Sequence, residues 1–332
     1  MAETTNPLPR GIPQDAMVWD NHACMPLRPG DDAFLDQLAR CRDAGLTAIS
    51  LNVGFGDQGI AEHVRMLGHF RSWLAARPDD YMLIGSAQDL RDAKASGRLA
   101  VHFDIEGMNA LGEQASLVHL YYDLGVRWML IAYNRNNPAG GGCLDDDGGL
   151  TAFGREVIGE MNRVGMTLCC THTGYRTARE AIDLSADPVI FSHSNPRALW
   201  DNPRNIPDDL MRACAARGGV ICPSGIGIFL GDNDNSTETF VRHILHALDV
   251  VGEDHVGIGL DYVFDPAELD EYVTANPALF PSKGQYGAGM KMIAPWRLPE
   301  ICDALRDRGV SDPTLCKLLG GNLLRIADRV WR

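Results

Sequence analysis

From residue 17 onward, short apolar runs alternate with longer stretches of helical spacing. The runs at 17–22, 47–53, 99–106, 128–134, 166–172, 188–193, 219–223 and 255–261 are bounded by glycine, proline or polar residues, the pattern of buried strands. Between and after them the spacing predicts helices at 31–44, 60–76, 114–124, 151–164, 175–184, 207–217, 237–251, 298–308 and 313–327. Phe34, Leu35, Leu38 and Cys41 share one helical face that Gly45 ends. Pro207 opens another helix, with Asp208 and Asp209 at the positive end of its dipole, and Ser311 caps the last. Eight strands alternating with helices predict an α/β fold with a parallel sheet, a (β/α)8 TIM barrel. The segment 263–296, rich in glycine and proline and without a clear helical pattern, is expected to be a long active-site loop. One barrel domain accounts for residues 1–332, with the polar, proline-rich residues 1–15 as an extended N-terminal arm.

The strands change character where they end. Asp20, Asn21 and His22 follow MVW, Asp104 and Glu106 close LAVHF, His172 and His193 end the two strands of one βαβ unit, and Asp261 follows HVGIGL. Parallel strands all end on one side of the sheet, where βα loops carry active sites. Alternation turns His102, Asp104 and Glu106 into the barrel with Glu106 topmost, and Gly257 and Gly259 leave space beneath Asp261. A lone strand-end histidine is best read as a hydrogen-bonded cap. Imidazoles and carboxylates converging from several strands point instead to a catalytic divalent metal such as zinc. His102 and Asp104 read as an internal hydrogen-bonded pair, and His243 and His246, without an HExxH context, as solvated surface residues.

Composition narrows the partners. A formal charge of -14, with no cluster of Lys and Arg, excludes sequence-independent nucleic-acid binding and favours a small-molecule substrate. No run approaches the ~18 apolar residues of a membrane span, and the first dozen residues have no signal-peptide core, so no membrane association is expected. Nine scattered cysteines without zinc-finger spacing read as reduced thiols of a cytoplasmic protein.

Several motifs occur together and in order: IEG at 105–107, GLTAFGREVIGEMNRVGM at 149–166, SHSNPRA at 192–198, RNIPDD at 204–209, GIGLD at 257–261 and GGN at 320–322. From about Val18 to the end, the chain resembles the membrane (renal) dipeptidase family of the amidohydrolase superfamily. The resemblance implies a metal-dependent barrel hydrolase, a homodimer, that cleaves a dipeptide or similar small amide bearing a free carboxylate. By position, Glu106 corresponds to the carboxylate bridging two zinc ions, His172 and His193 to ligands of the second, and His22 and Asp261 to ligands of the first. Arg204 corresponds to the arginine that grips the substrate carboxylate, and Asp261 to the catalytic group that takes a proton from the attacking hydroxide and returns it.

Three positions depart from the family pattern. Cys24 stands where an aspartate ligates the first metal, Cys169 and Cys170 stand in the usual Asp-Leu-Ser-His, and Tyr133 replaces a substrate-contacting histidine. Tyr133 can still donate one hydrogen bond to a developing oxyanion. Cys24 either ligates the first metal or turns away as a small hydrophobe; the remodelled neighbours favour the second, leaving the second-metal site of Glu106, His172 and His193 the more secure. Two alternatives accompany the dipeptidase reading: a single-metal amidohydrolase acting on another amide or a lactone, and a catalytically silent small-molecule binding protein.

Overall fold

The computed structural model describes residues 8–332. Its parallel sheet contains β1 (Trp19–Cys24), β2 (Ala48–Phe55), β3 (Tyr81–Leu83), β4 (Leu99–Glu106), β5 (Val126–Leu130), β6 (Thr167–Cys169), β7 (Ile190–Phe191), β8 (Val220–Ile221) and β9 (Tyr262–Val263). The order is β8-β7-β6-β5-β4-β2-β1-β9, with β3 paired to β4. Residues 256–261 close the barrel between β8 and β1. On one side Gly257 N donates to Ile221 O (2.9 Å); on the other Asn21 N donates to Ile258 O and Asp261 N to His22 O, both at 3.0 Å. Here the predicted eighth strand forms individual hydrogen bonds, and regular pairing with β1 begins only beyond it, at β9. Gly259 is required by close approach, because a Cβ there would lie 1.8 Å from Ser192 O.

β3 and the helix Ala87–Ser96 were not expected from the spacing. β4 shares one edge between two partners, its amino half pairing with β3 (Tyr81↔Leu99) and its carboxyl half with β5 (Glu106↔Leu130). The predicted last helix is divided: Ser311 caps Asp312–Cys316, a π turn occupies Lys317–Gly321, and a new helix runs Asn322–Val330. Gly320 lies so close to Met17 O that a Cβ would meet it at 2.4 Å, and Asn322 Nδ2 donates to Glu253 O and Val256 O, both at 2.8 Å. The GGN motif therefore pins the start of the closing strand.

Apolar packing forms separate layers. Val101, Phe103 and Ile105 face the surrounding helices, whereas Trp19, Trp128 and Leu130 fill the barrel with Leu323, Ile326 and Val330 of the last helix. A third cluster, including Phe229, Val273, Leu279 and Phe280, covers the carboxyl end. The polar site lies between the last two.

The segment 263–296 is not a plain loop. Asp265 caps a helix at Pro266–Ala275 by accepting from Glu268 N (3.3 Å), with Pro266 in the first turn. The first seven residues of the expected arm lie outside the described residues. Residues 8–15 fold back, Leu8 and Gln14 exchanging hydrogen bonds at 3.0 and 3.2 Å while Ile12 is buried. His243 is buried as well, because it falls on the apolar stripe of Thr237–Val251 with Phe240, Ile244 and Ala247; its Nε2 donates to Leu230 O at 2.9 Å. His246, half-buried, faces Asp208 at 2.9 Å.

Candidate metal centre

The strand ends bring His22, Glu106, His172, His193 and Asp261 together. His172 Nε2 lies 3.3 Å and His193 Nε2 3.2 Å from Glu106 Oε1, while His22 Nε2 lies 3.6 Å from Glu106 Oε2 and 3.5 Å from Asp261 Oδ1. The rings of His22 and His193 stack with centroids 4.1 Å apart. His172 and Asp261 both have a φ of 61°, and Asn134, at the end of the adjoining run, has 59°. Left-handed backbone at a non-glycine residue costs about 1–3 kcal/mol, and here it recurs at strand ends that aim side chains into one site.

Each imidazole is held from behind. His22 Nδ1 meets Asp104 at 3.2 Å, His172 Nδ1 donates to Asn134 Oδ1 at 2.7 Å, and His193 Nδ1 meets Ser192 Oγ at 2.9 Å. This leaves the three Nε2 atoms turned towards the carboxylates, the arrangement in which an outer partner fixes the tautomer of a metal-binding histidine. Among the described residues, Glu106 Oε1 and His193 Nε2 are buried without a hydrogen-bond partner. Two orphaned acceptors facing one another fit a cation between them. Donor atoms converge in two groups, His22 with Glu106 and His193, and His22 with Cys24 and Asp261.

The electrostatics agree with this fit. Burial pushes the Glu106 carboxyl up to about 8, against the pull of His22, and also raises Asp261. Burial likewise depresses His172 and His193 well below the ordinary imidazole value, with nearby Arg204 adding to it. His22 differs: burial disfavours its cation, but Asp104, Cys24 and Glu106 outweigh that and raise its pKa. The neutral imidazoles and crowded carboxylates favour an added cation.

Two expectations about nearby residues need correction. Cys24 does not turn away; its Sγ lies 3.5 Å from His22 Nε2 and 4.0 Å from Asp261 Oδ1. β1 remains in register with β9 at Cys24↔Val263, and residues two apart share a strand face, so the thiol follows His22 inward. Burial raises this thiol to about 12. His102 and Asp104 are not paired. His102 packs one layer lower, edge-on to Trp19 (5.4 Å) and Trp331 (5.5 Å), whereas Asp104 accepts from Ser50 Oγ (2.5 Å) and Asn52 Nδ2 (3.0 Å) and orients His22.

Arg204 is buried. Its Nη2 reaches His193 O at 3.4 Å and its guanidinium sits 4.9 Å from the centroid of Phe229, but Nε and Nη1 have no partner. Tyr133 stacks on His172 with ring centroids 4.1 Å apart and lines the cavity beside the cluster, together with Cys24, Glu106 and Asp261. The outer partners Ser50, Asn52, Asn134 and Ser192 were not anticipated. Ser50 and Asn52 had a legible signal, since they alternate as polar positions within the apolar run ISLNV.

A family model for membrane dipeptidase (peptidase family M19) matches residues 44–281. The chain is 31% identical over 228 residues to a protein of Schizosaccharomyces pombe named an uncharacterized dipeptidase, covering 67% of this chain and 51% of that one. It is 30% identical over 251 residues to dipeptidase verJ of Clonostachys rogersoniana, covering 75% and 60%. The chain thus spans about half to three-fifths of the length of these curated relatives. Among solved structures, an amidohydrolase from Pseudomonas aeruginosa superposes with a TM-score of 0.84 at 27% identity, covering 96% of this chain and 97% of that one. A metallopeptidase from Rhodobacter sphaeroides, liganded with a phosphinate mimic of the dipeptide L-Ala-D-Ala, shares the fold with a TM-score of 0.77 at 21% identity, covering 96% and 100%.

Proposed function

The chain belongs to the membrane dipeptidase family, and from that premise we propose that it is a zinc-dependent dipeptidase acting on a small substrate with a free terminal carboxylate. One observation carries the reading: three imidazoles, each held at Nδ1 by an outer partner, turn Nε2 towards the buried carboxylate Glu106 and the half-buried Asp261. Glu106, His172 and His193 would hold one ion, and His22, Cys24 and Asp261 another, with Glu106 shared. Nitrogen, carboxylate and thiolate donors suit zinc. When bound, such ions polarise a peptide carbonyl and make water acidic enough to attack it near neutral pH.

The remaining steps fall to the chain's own groups. Arg204 binds the substrate carboxylate through Nε and Nη1, the donors that otherwise stand buried and unpaired. Tyr133 donates its hydroxyl proton in a hydrogen bond to the carbonyl oxygen as negative charge develops there. Asp261 accepts the proton of the attacking water and passes it to the leaving amine. Burial raises its carboxyl pKa, which suits that exchange. Family resemblance extends the reading to a homodimer, and the reduced thiols to a cytoplasmic location.

The test is elemental analysis of protein purified without chelator, followed by a dipeptide panel before and after chelation. At least about one ion per chain, with activity lost in chelator and restored by zinc, is expected. Less than about a tenth of an ion per chain, or hydrolysis that survives chelation, overturns the proposal.

A further inference from the structure

The cavity beside the ligand cluster has a volume of about 210 Å³, and its walls differ in chemistry from the cluster. Six aromatic side chains surround it in mutual contact. Phe55 meets Tyr133 (5.1 Å between centroids) and Tyr272 (5.2 Å); Phe280 meets Tyr272 (5.9 Å), Tyr133 (6.2 Å) and Tyr286 (5.0 Å); Tyr286 meets Phe229 (5.6 Å). They come from the end of β2, the turn after β5, the short helix Gly227–Leu230 and the segment 263–296. That segment is tied down beside the cluster: Tyr286 OH donates to Asn134 Oδ1 (3.3 Å), Asn134 Nδ2 to Leu279 O (3.4 Å) and Asn202 Nδ2 to Gly284 O (3.3 Å).

The charges lining the cavity are one-sided. Its carboxylates are Glu106 and Asp261 of the cluster and Glu268, which pairs with Arg28 at 3.2 Å. Among the described residues, no lysine or arginine lines it. An acidic substrate side chain would lose water against aromatic rings and gain no cation, because Arg204 is engaged by the terminal carboxylate. An alkyl side chain loses nothing of that kind and gains contact with the rings.

Building on the dipeptidase reading, we infer that the aromatic collar selects small dipeptides carrying an apolar side chain, with Phe280 as its central specificity-determining residue. Phe280 holds that place because it touches three of the other five rings. The small cavity, below the ~300 Å³ at which ordinary ligand pockets begin, favours dipeptides over longer peptides.

The experiment measures kcat/KM, and dissociation constants by calorimetry, for X-Ala and Ala-X dipeptides with X as Ala, Leu, Glu or Lys, using zinc-loaded protein. At one of the two positions Leu should exceed Ala by at least about tenfold, and Glu and Lys by more. Phe280→Ala should lower the Leu-to-Ala ratio by about tenfold, and Phe280→Leu should recover part of it. If Phe280→Ala unfolds, Tyr272→Ala removes the collar's contacts with Phe55 and Phe280 and is read in the same way. Glu or Lys matching Leu at both positions overturns the inference, the latter by making the collar a cation site. So does an equal loss on all dipeptides in the variants. Tighter binding of apolar dipeptides without cleavage refutes the dipeptidase reading alone; cleavage without preference refutes the collar alone; neither binding nor cleavage refutes both.

Discussion

Asn134 Oδ1 accepts a hydrogen bond from His172 Nδ1 at 2.7 Å, so a residue outside the donor cluster determines which nitrogen of His172 faces Glu106. Its φ of 59° is one that asparagine and glycine tolerate. Asn134→Gly therefore keeps the backbone and removes the acceptor, together with the side chain's contacts to Tyr286 OH and Leu279 O. Metal affinity, measured by competition with a chromophoric chelator, should fall about 10- to 100-fold. Unchanged affinity would show that the contact does not orient the ligand.

Cys24 faces His22 Nε2 at 3.5 Å and is expected to take part in metal binding. Metal-loaded protein should resist alkylation at Cys24 until chelator is added, and Cys24→Ala should lower the ion count from about two to about one per chain. Mass spectrometry of the Cys24 peptide and elemental analysis read the two effects. Equal ion counts in both proteins would show that Cys24 is not a metal ligand.

The barrel is legible in the sequence because each long strand is an apolar run whose character changes at its carboxyl end, and every predicted ligand occupies such an end. β3 is not legible, since YML is too short to show a period, and the helix after it, AQDLRDAKAS, buries only Ala87, Leu90 and Ala93. The helix Pro266–Ala275 carried a readable start in Asp265 and Pro266, obscured by the glycines and prolines that follow. Asp104 was assigned to His102 because the two share a strand face. Among its actual partners, Asn52 sits opposite it on β2, in the register Asn52↔Asp104, and strand adjacency of this kind is not written in either segment alone. The aromatic collar was hidden for the same reason, its members being drawn from four separate parts of the chain.

Arg204 has two buried guanidinium nitrogens without partners, poised for an anionic group. Arg204→Ala should lower kcat/KM by about 2 to 5 kcal/mol on dipeptides with a free carboxylate and by much less on their C-terminal amides. Arg204→Lys should restore only part of the loss, because an ammonium lacks the planar fork. Equal losses on both substrate types would assign Arg204 a structural role.

Acid should unfold the protein partly through His243. Burial depresses its pKa to about 4, Arg242 and His246 add to this, and only the bond to Leu230 O opposes it. The unfolded imidazole titrates near 6.5, so the folded value is the depressed one, and the stability from keeping this ring neutral is complete above about pH 6.5. As pH falls from about 6.5 to about 4 the unfolded chain takes up a proton that the folded chain refuses, and roughly 3 kcal/mol is lost. His243→Gln keeps an amide that can donate to Leu230 O and has no proton to gain. In urea unfolding at pH 7, 6 and 5 with chelator present, the stability gap between the two proteins should shift in favour of the glutamine variant as pH falls. Parallel pH slopes would mean that His243 takes up its proton equally in the folded and unfolded chains.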